Sequence, residues 1–119
     1  MSKGSDAPLR ERPVLGVDAV GGGVVVRLGG ELDLYNADQV RAALAAATDD
    51  SPAFLVVDLS QVEFVDSTAL SVFIEARSKL GEGALRLAAP QLETMRALKV
   101  SGLDRHLAVF DDVDAAVAG

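Results

Sequence analysis

The segment "AFLVVDLS", residues 53–60, is the most restrictive stretch of the chain. It is almost unbroken in apolar side chains, so a strand made from it has no polar face to turn to water. Such a strand needs cover on both sides, which predicts the central strand of a sheet flanked by helices. A short apolar run alone also fits a buried helix, and its flanks decide the matter. "DDSP" breaks the chain before it, and beyond "QVEFV" the apolar period becomes helical. Ala69, Phe73, Ala76 and Leu80 then share one face, with Leu70 at its edge. At the junction stand Asp66, Ser67 and Thr68, residue types whose side-chain oxygens accept the free N–H groups of a helix's first turn. Farther along this helix, Glu75 and Lys79 are spaced to form an outward i,i+4 ion pair.

The same reading extends to both sides. "VLGVDAV" and "VVVRLGG" flank Gly21, Gly22 and Gly23 and predict two strands joined by a tight turn. "NADQVRAALAAAT" predicts a helix capped by Asn36, with Gln39 reaching back in a capping-box variant and Ala37, Val40, Leu44 and Ala47 on one face. Gly81 and Gly83 end the helix that starts near Ser67, and "ALRLAA" is a further strand. Pro90 begins a helix carrying Leu92, Met95 and Leu98, stopped at Gly102. A short strand, "LAVF", and an Asp-capped helix, "DDVDAAVA", follow. The order β-β-α-β-α-β-α-β-α predicts an α/β domain with one mixed sheet of about four or five strands and about four helices, its parallel part built by right-handed crossovers.

Composition narrows the function classes. The 119 residues, half of them hydrophobic, make one domain with an aliphatic core. Residues 14–117 are expected to form that domain, preceded by a polar leader over residues 1–13, "MSKGSDAPLRERP". The leader has no apolar core of the kind a signal peptide or membrane span requires, so the expected compartment is the cytoplasm and no membrane partner is expected. A formal net charge of -7 opposes nucleic-acid binding. The absence of cysteine excludes disulfides, thiolate nucleophiles and Cys-ligated metals.

Few residues then remain for chemistry. The one histidine, His106, lies in the polar "LDRH" turn and reads as a surface residue, which leaves a hydrolytic triad without its base. Asp111, Asp112 and Asp114 read as helix-start charges that complement the macrodipole, and no metal-ligand spacing or cofactor motif is present. The "VGGGV" trio lacks the spacing of a phosphate loop. Asp58 ends a buried strand, where a receiver-like domain would carry its phosphoaspartate. The acidic pair and strand lysine that such chemistry needs are missing, so this is the weaker, enzyme-class alternative. By local pattern alone, Asp66, Ser67 and Thr68 are a helix start with no further role.

A wider match adds to that reading. "GELDLYNADQVRAAL", "LVVDLSQVEFVDSTALSVF" and "SGLDRHLAVFDDVDAAV", in this order, resemble the anti-sigma factor antagonists of the STAS family over roughly residues 14–117. The resemblance implies a non-enzymatic bacterial regulator in a STAS fold. Its partner would be an anti-sigma factor with serine kinase activity, whose capture frees a sigma factor. It further implies that the kinase phosphorylates Ser67, with Thr68 as the secondary candidate, and that a PP2C-type phosphatase reverses the mark. Asp33, by the "GELD" match, and Asp66 would flank or shape the partner-binding surface with Ser67 and Thr68. The family commonly has glycine after the two hydroxyl residues, where this chain has Ala69. The other reading that the resemblance leaves open is a STAS subunit of a transporter or stressosome-like assembly, docking through the same surface without phosphorylation.

Overall fold

The computed structural model describes residues 12–81 and 83–119, so the expected leader lies, up to Glu11, outside the described residues. Strands β1 (Val14–Val20) and β2 (Gly23–Leu32) form an antiparallel hairpin. Its turn is made by Gly21 and Gly22 at φ +51° and +89°, left-handed values that L side chains rarely adopt. Gly23 is required for another reason: a Cβ there would lie 2.3 Å from the Phe54 ring.

The chain continues through α1 (Ala37–Thr48), β3 (Leu55–Val65), α2 (Ser67–Leu80), β4 (Leu85–Ala88) and α3 (Leu92–Ser101). A 3-10 turn (Leu103–Arg105), β5 (Ala108–Phe110) and α4 (Val113–Ala118) complete it. Among the described residues the sheet has five strands in the order β1-β2-β3-β4-β5, antiparallel in the first pair and parallel in the rest. The apolar run at 54–59 is therefore central, as its composition requires.

Alternation along the strands sends side chains into two cores. Val26 and Leu28 of β2 and Leu55, Val57 and Leu59 of β3 join Val40 and Leu44 of α1, Phe73 of α2 and Leu98 of α3. Val25, Val56 and Ala88 face the other way with Phe54, against Ala116 of α4. Arg86 of β4 holds α4 there. Its guanidinium donates to the carbonyls of Ala116 and Val117 at 2.9 and 3.4 Å, accepting-group ends that a helix C-terminus leaves open, and stacks 4.5 Å from the Phe54 ring centre.

The structure departs from the sequence reading in four places. β3 runs on to Val65, well past the apolar run, because register shifts against β2 at Arg27/Gly29 and Gly30/Glu31 let pairing resume with Val62 and Val65 inward and Gln61 and Glu63 outward. α3 starts at Leu92 rather than Pro90; Leu92 is exposed, and Thr94 is buried in its place one turn before Leu98. Asn36 makes no capping bond to α1. Its amide instead stitches the preceding loop, with Oδ1 accepting from the Asp33 N–H at 2.9 Å and Nδ2 donating to the Glu31 carbonyl at 2.7 Å. Finally, Glu75 pairs with Arg41 of α1 through both carboxylate oxygens, at 3.0 and 3.2 Å, and not with Lys79. A two-pronged guanidinium on a neighbouring helix outcompetes a flexible ammonium on the same one. This pair holds the Glu75 carboxyl below its ordinary range and raises Arg41, the hydrogen bond between them being the main cause in each case.

Candidate functional site

The candidate site forms where β3 gives way to α2. Asp66 is extended (φ -104°, ψ -178°) and caps the helix, its Oδ1 accepting from the Ala69 N–H at 3.0 Å. The other oxygen is used elsewhere: Oδ2 accepts from the Leu34 N–H at 3.0 Å. One carboxylate thus joins the start of α2 to the loop between β2 and α1, 32 residues earlier in the chain. The Asp66 N–H donates to the Leu32 carbonyl at 3.0 Å, so its backbone is held by the adjoining strand as well.

Asp33 organises the loop on the other side of that link. Its Oδ1 accepts from the Tyr35 N–H at 2.9 Å, and its carbonyl accepts from the N–H groups of Asn36 and Ala37 at 3.2 and 2.9 Å. These bonds turn the chain so that Leu34 and Tyr35 stand outward, 66% and 81% exposed. Sequence reasoning passed over both. The available signal was a pair of large apolar residues directly after "GELD", where a surface turn is ordinarily polar.

Ser67 is the first residue of α2 and is exposed; Thr68 is half-buried. The Ser67 carbonyl accepts from the Ser71 hydroxyl at 3.0 Å, placing a second hydroxyl one turn along the same face. Ser67, Leu70, Ser71 and Ile74 line one wall of an open groove of about 450 Å³, with Ser101 and Leu103 on the other. Ala69 points the opposite way and is fully buried in the main core. Its methyl group is therefore packed inside and not on the face that carries Ser67.

The other residues weighed in the sequence lie apart. The Asp58 Oδ1 accepts from the Ser60 N–H at 2.9 Å, an arrangement that steadies the strand bend. Among the described residues no three His, Cys, Asp or Glu side chains are grouped to hold a metal ion. His106 is exposed at the end of the 3-10 turn, and the Asp112 Oδ1 caps α4 through the Ala115 N–H at 2.7 Å. No helix among the described residues is long and apolar enough to cross a membrane.

The pattern that defines the STAS domain matches residues 15–116. The chain belongs to the STAS domain family. Within it, the chain is 32% identical over 99 residues to the anti-sigma-F factor antagonist RsfB of Mycobacterium tuberculosis, covering 82% of this chain and 81% of that one. The crystal structure of an anti-sigma factor antagonist from Mycobacterium paratuberculosis superposes with a TM-score of 0.81 at 33% identity, over 88% of this STAS domain chain and 90% of that one. The Bacillus cell fate determinant SpoIIAA in its phosphorylated form shares the fold, with a TM-score of 0.59 at 23% identity over 79% and 88% of the two chains. The mixed sheet of five described strands with four helices is the STAS fold of these neighbours.

Proposed function

We propose that this STAS domain, spanning residues 14–117, is an anti-sigma factor antagonist. It binds an anti-sigma factor with serine kinase activity, thereby releasing a sigma factor, and acts by binding rather than by catalysis. Phosphorylation of Ser67 by that kinase switches it off, a PP2C-type phosphatase restores it, and the exchange takes place in the cytoplasm. The observation that carries this reading is the exposed Ser67 hydroxyl on the first turn of a helix whose cap, Asp66, is bonded at both oxygens. The likeness to RsfB over most of both chains supports the same role.

The energetics favour a switch that acts on binding rather than on folding. A first helical turn has free N–H groups and the positive end of the dipole, so it tolerates an anion. A phosphoserine adds about 1.5–2 negative charges to a chain already at -7. That charge sits beside Asp66 on the surface that must lose water to dock. Release of the partner requires binding to weaken by about 100-fold, roughly 2.7 kcal/mol, which a desolvated dianion facing like charge supplies.

Affinity for the cognate anti-sigma factor and thermal melting are to be measured on the unmodified protein, the phosphorylated protein, Ser67→Ala and Ser67→Glu. Phosphorylation is expected to abolish binding with little change in melting. Ser67→Ala is expected to bind and stay unmarked, and Ser67→Glu to bind more weakly. Tight binding by the phosphorylated protein, or full phosphorylation of Ser67→Ala, refutes the assignment to Ser67 and directs attention to Thr68 or to an unphosphorylated docking role.

A further inference from the structure

A second concavity, of about 550 Å³, shares no lining residue with the groove at Ser67. Its lining is more polar than apolar and includes Met95 of α3 and Val109 of β5, both packed on the main core. Among the described lining residues its rim carries Arg77, Arg105, His106 and the carboxylate of Asp104. Cationic side chains thus gather at this rim on a chain whose net charge is -7.

Four arginines elsewhere are committed to partners within the chain. Arg27 pairs with Asp18, Arg41 with Glu75 and Asp38, and Arg96 with Glu93, while Arg86 serves the α4 carbonyls. Arg77 has an interaction of its own, so the anion is left to Arg105 and His106. Arg105 and His106 are exposed and make no ion pair among the described residues. Their side-chain N–H groups are thus available beside the Met95 and Val109 side chains.

We propose that this concavity binds a phosphate monoester with a compact apolar or aromatic body. The phosphate is held by the Arg105 fork and the His106 ring, and the body lies on Met95 and Val109. The volume falls within the range typical of small-molecule sites, and a planar guanidinium matches phosphate oxygens pairwise. The net charge opposes an extended polyanion, so the ligand is a single small anion and not a nucleic acid. This inference is independent of the role of Ser67.

The test is an NMR titration of amide resonances of the full chain with inorganic phosphate, phenyl phosphate and AMP. Phenyl phosphate is expected to saturate with a Kd at or below about 1 mM, at least about fivefold tighter than inorganic phosphate, with shifts concentrated at Met95 and residues 104–109. Arg105→Ala is expected to weaken binding about tenfold and His106→Ala several-fold, both with unchanged melting because the two side chains are exposed. Tighter binding of AMP than of phenyl phosphate assigns the site to nucleotides, and the reverse order to smaller phosphate esters. The proposal is overturned if nothing saturates below about 10 mM, or if inorganic phosphate binds as tightly as phenyl phosphate. It is also overturned if Arg105→Ala has no effect or the shifts map to the Ser67 groove.

Discussion

Replacing Asp66 tests whether one carboxylate unites two elements of the site. Asp66→Ala removes the cap on the Ala69 N–H and the bond to the Leu34 N–H, each 3.0 Å long. Loss of a helix cap costs about 1 kcal/mol. The bond to Leu34 has an ionised acceptor but is exposed, which brings it down to the upper part of the range for ordinary hydrogen bonds, about 1–1.5 kcal/mol. The two act on different segments, so the expected loss is about 2–2.5 kcal/mol, or roughly 8–10 °C in melting temperature for a domain of this size. Asp66→Asn keeps one carbonyl oxygen and turns an NH₂ group toward the other donor, so it is expected to lose about half as much. Urea unfolding followed by circular dichroism gives the stabilities, and hydrogen exchange at the Leu34 and Ala69 amides locates the change. If Asp66→Ala lies within about 0.5 kcal/mol of the unmodified protein, or if Asp66→Asn and Asp66→Ala are equally destabilised, the carboxylate does not unite the two elements.

Two further substitutions probe the scaffold. Glu75 is held below its ordinary pKa of 4.5 by Arg41, so its contribution is present above that pH and is lost as pH falls through the lower folded value. The stability difference between the unmodified protein and Glu75→Gln is therefore expected to shrink as a urea series is taken from neutral pH to below about 4.5; a constant difference refutes the pairing. The Thr94 hydroxyl is buried without a hydrogen-bond partner among the described residues. Thr94→Val, close in shape, is expected to leave stability unchanged or raise it by about 1 kcal/mol, and a clear loss in denaturant unfolding shows that the hydroxyl has a partner.

How far the sequence was legible follows from the range of the interactions. The Asp66 cap could be read because it is complete within four residues, Asp66 to Ala69, and the central strand because its burial is written in its composition. Asn36 was misread because asparagine both donates and accepts; the carbonyl of Glu31 and the N–H of Asp33 compete for the side chain that a cap would use. Leu92 fits the apolar period of α3, yet the helix is rotated so that Thr94 and Leu98 face the sheet. The bond from Leu34 to Asp66 and that from Arg41 to Glu75 span 32 and 34 residues. Neither leaves a local pattern, because both exist only once the sheet has placed the segments side by side.

The opposed directions of Ser67 and Ala69 separate two kinds of position on one helix. Along α2 the outward positions, Ser67 and Ser71, are exposed, and the inward ones, Ala69 and Phe73, are fully buried. Inward changes alter a close-packed core and cost about 3–5 kcal/mol for a large truncation such as Phe73→Ala, whereas outward ones stay within about 0.5 kcal/mol. One side of this single helix can therefore be rewritten residue by residue at almost no cost in stability, while the other side alone sustains the domain.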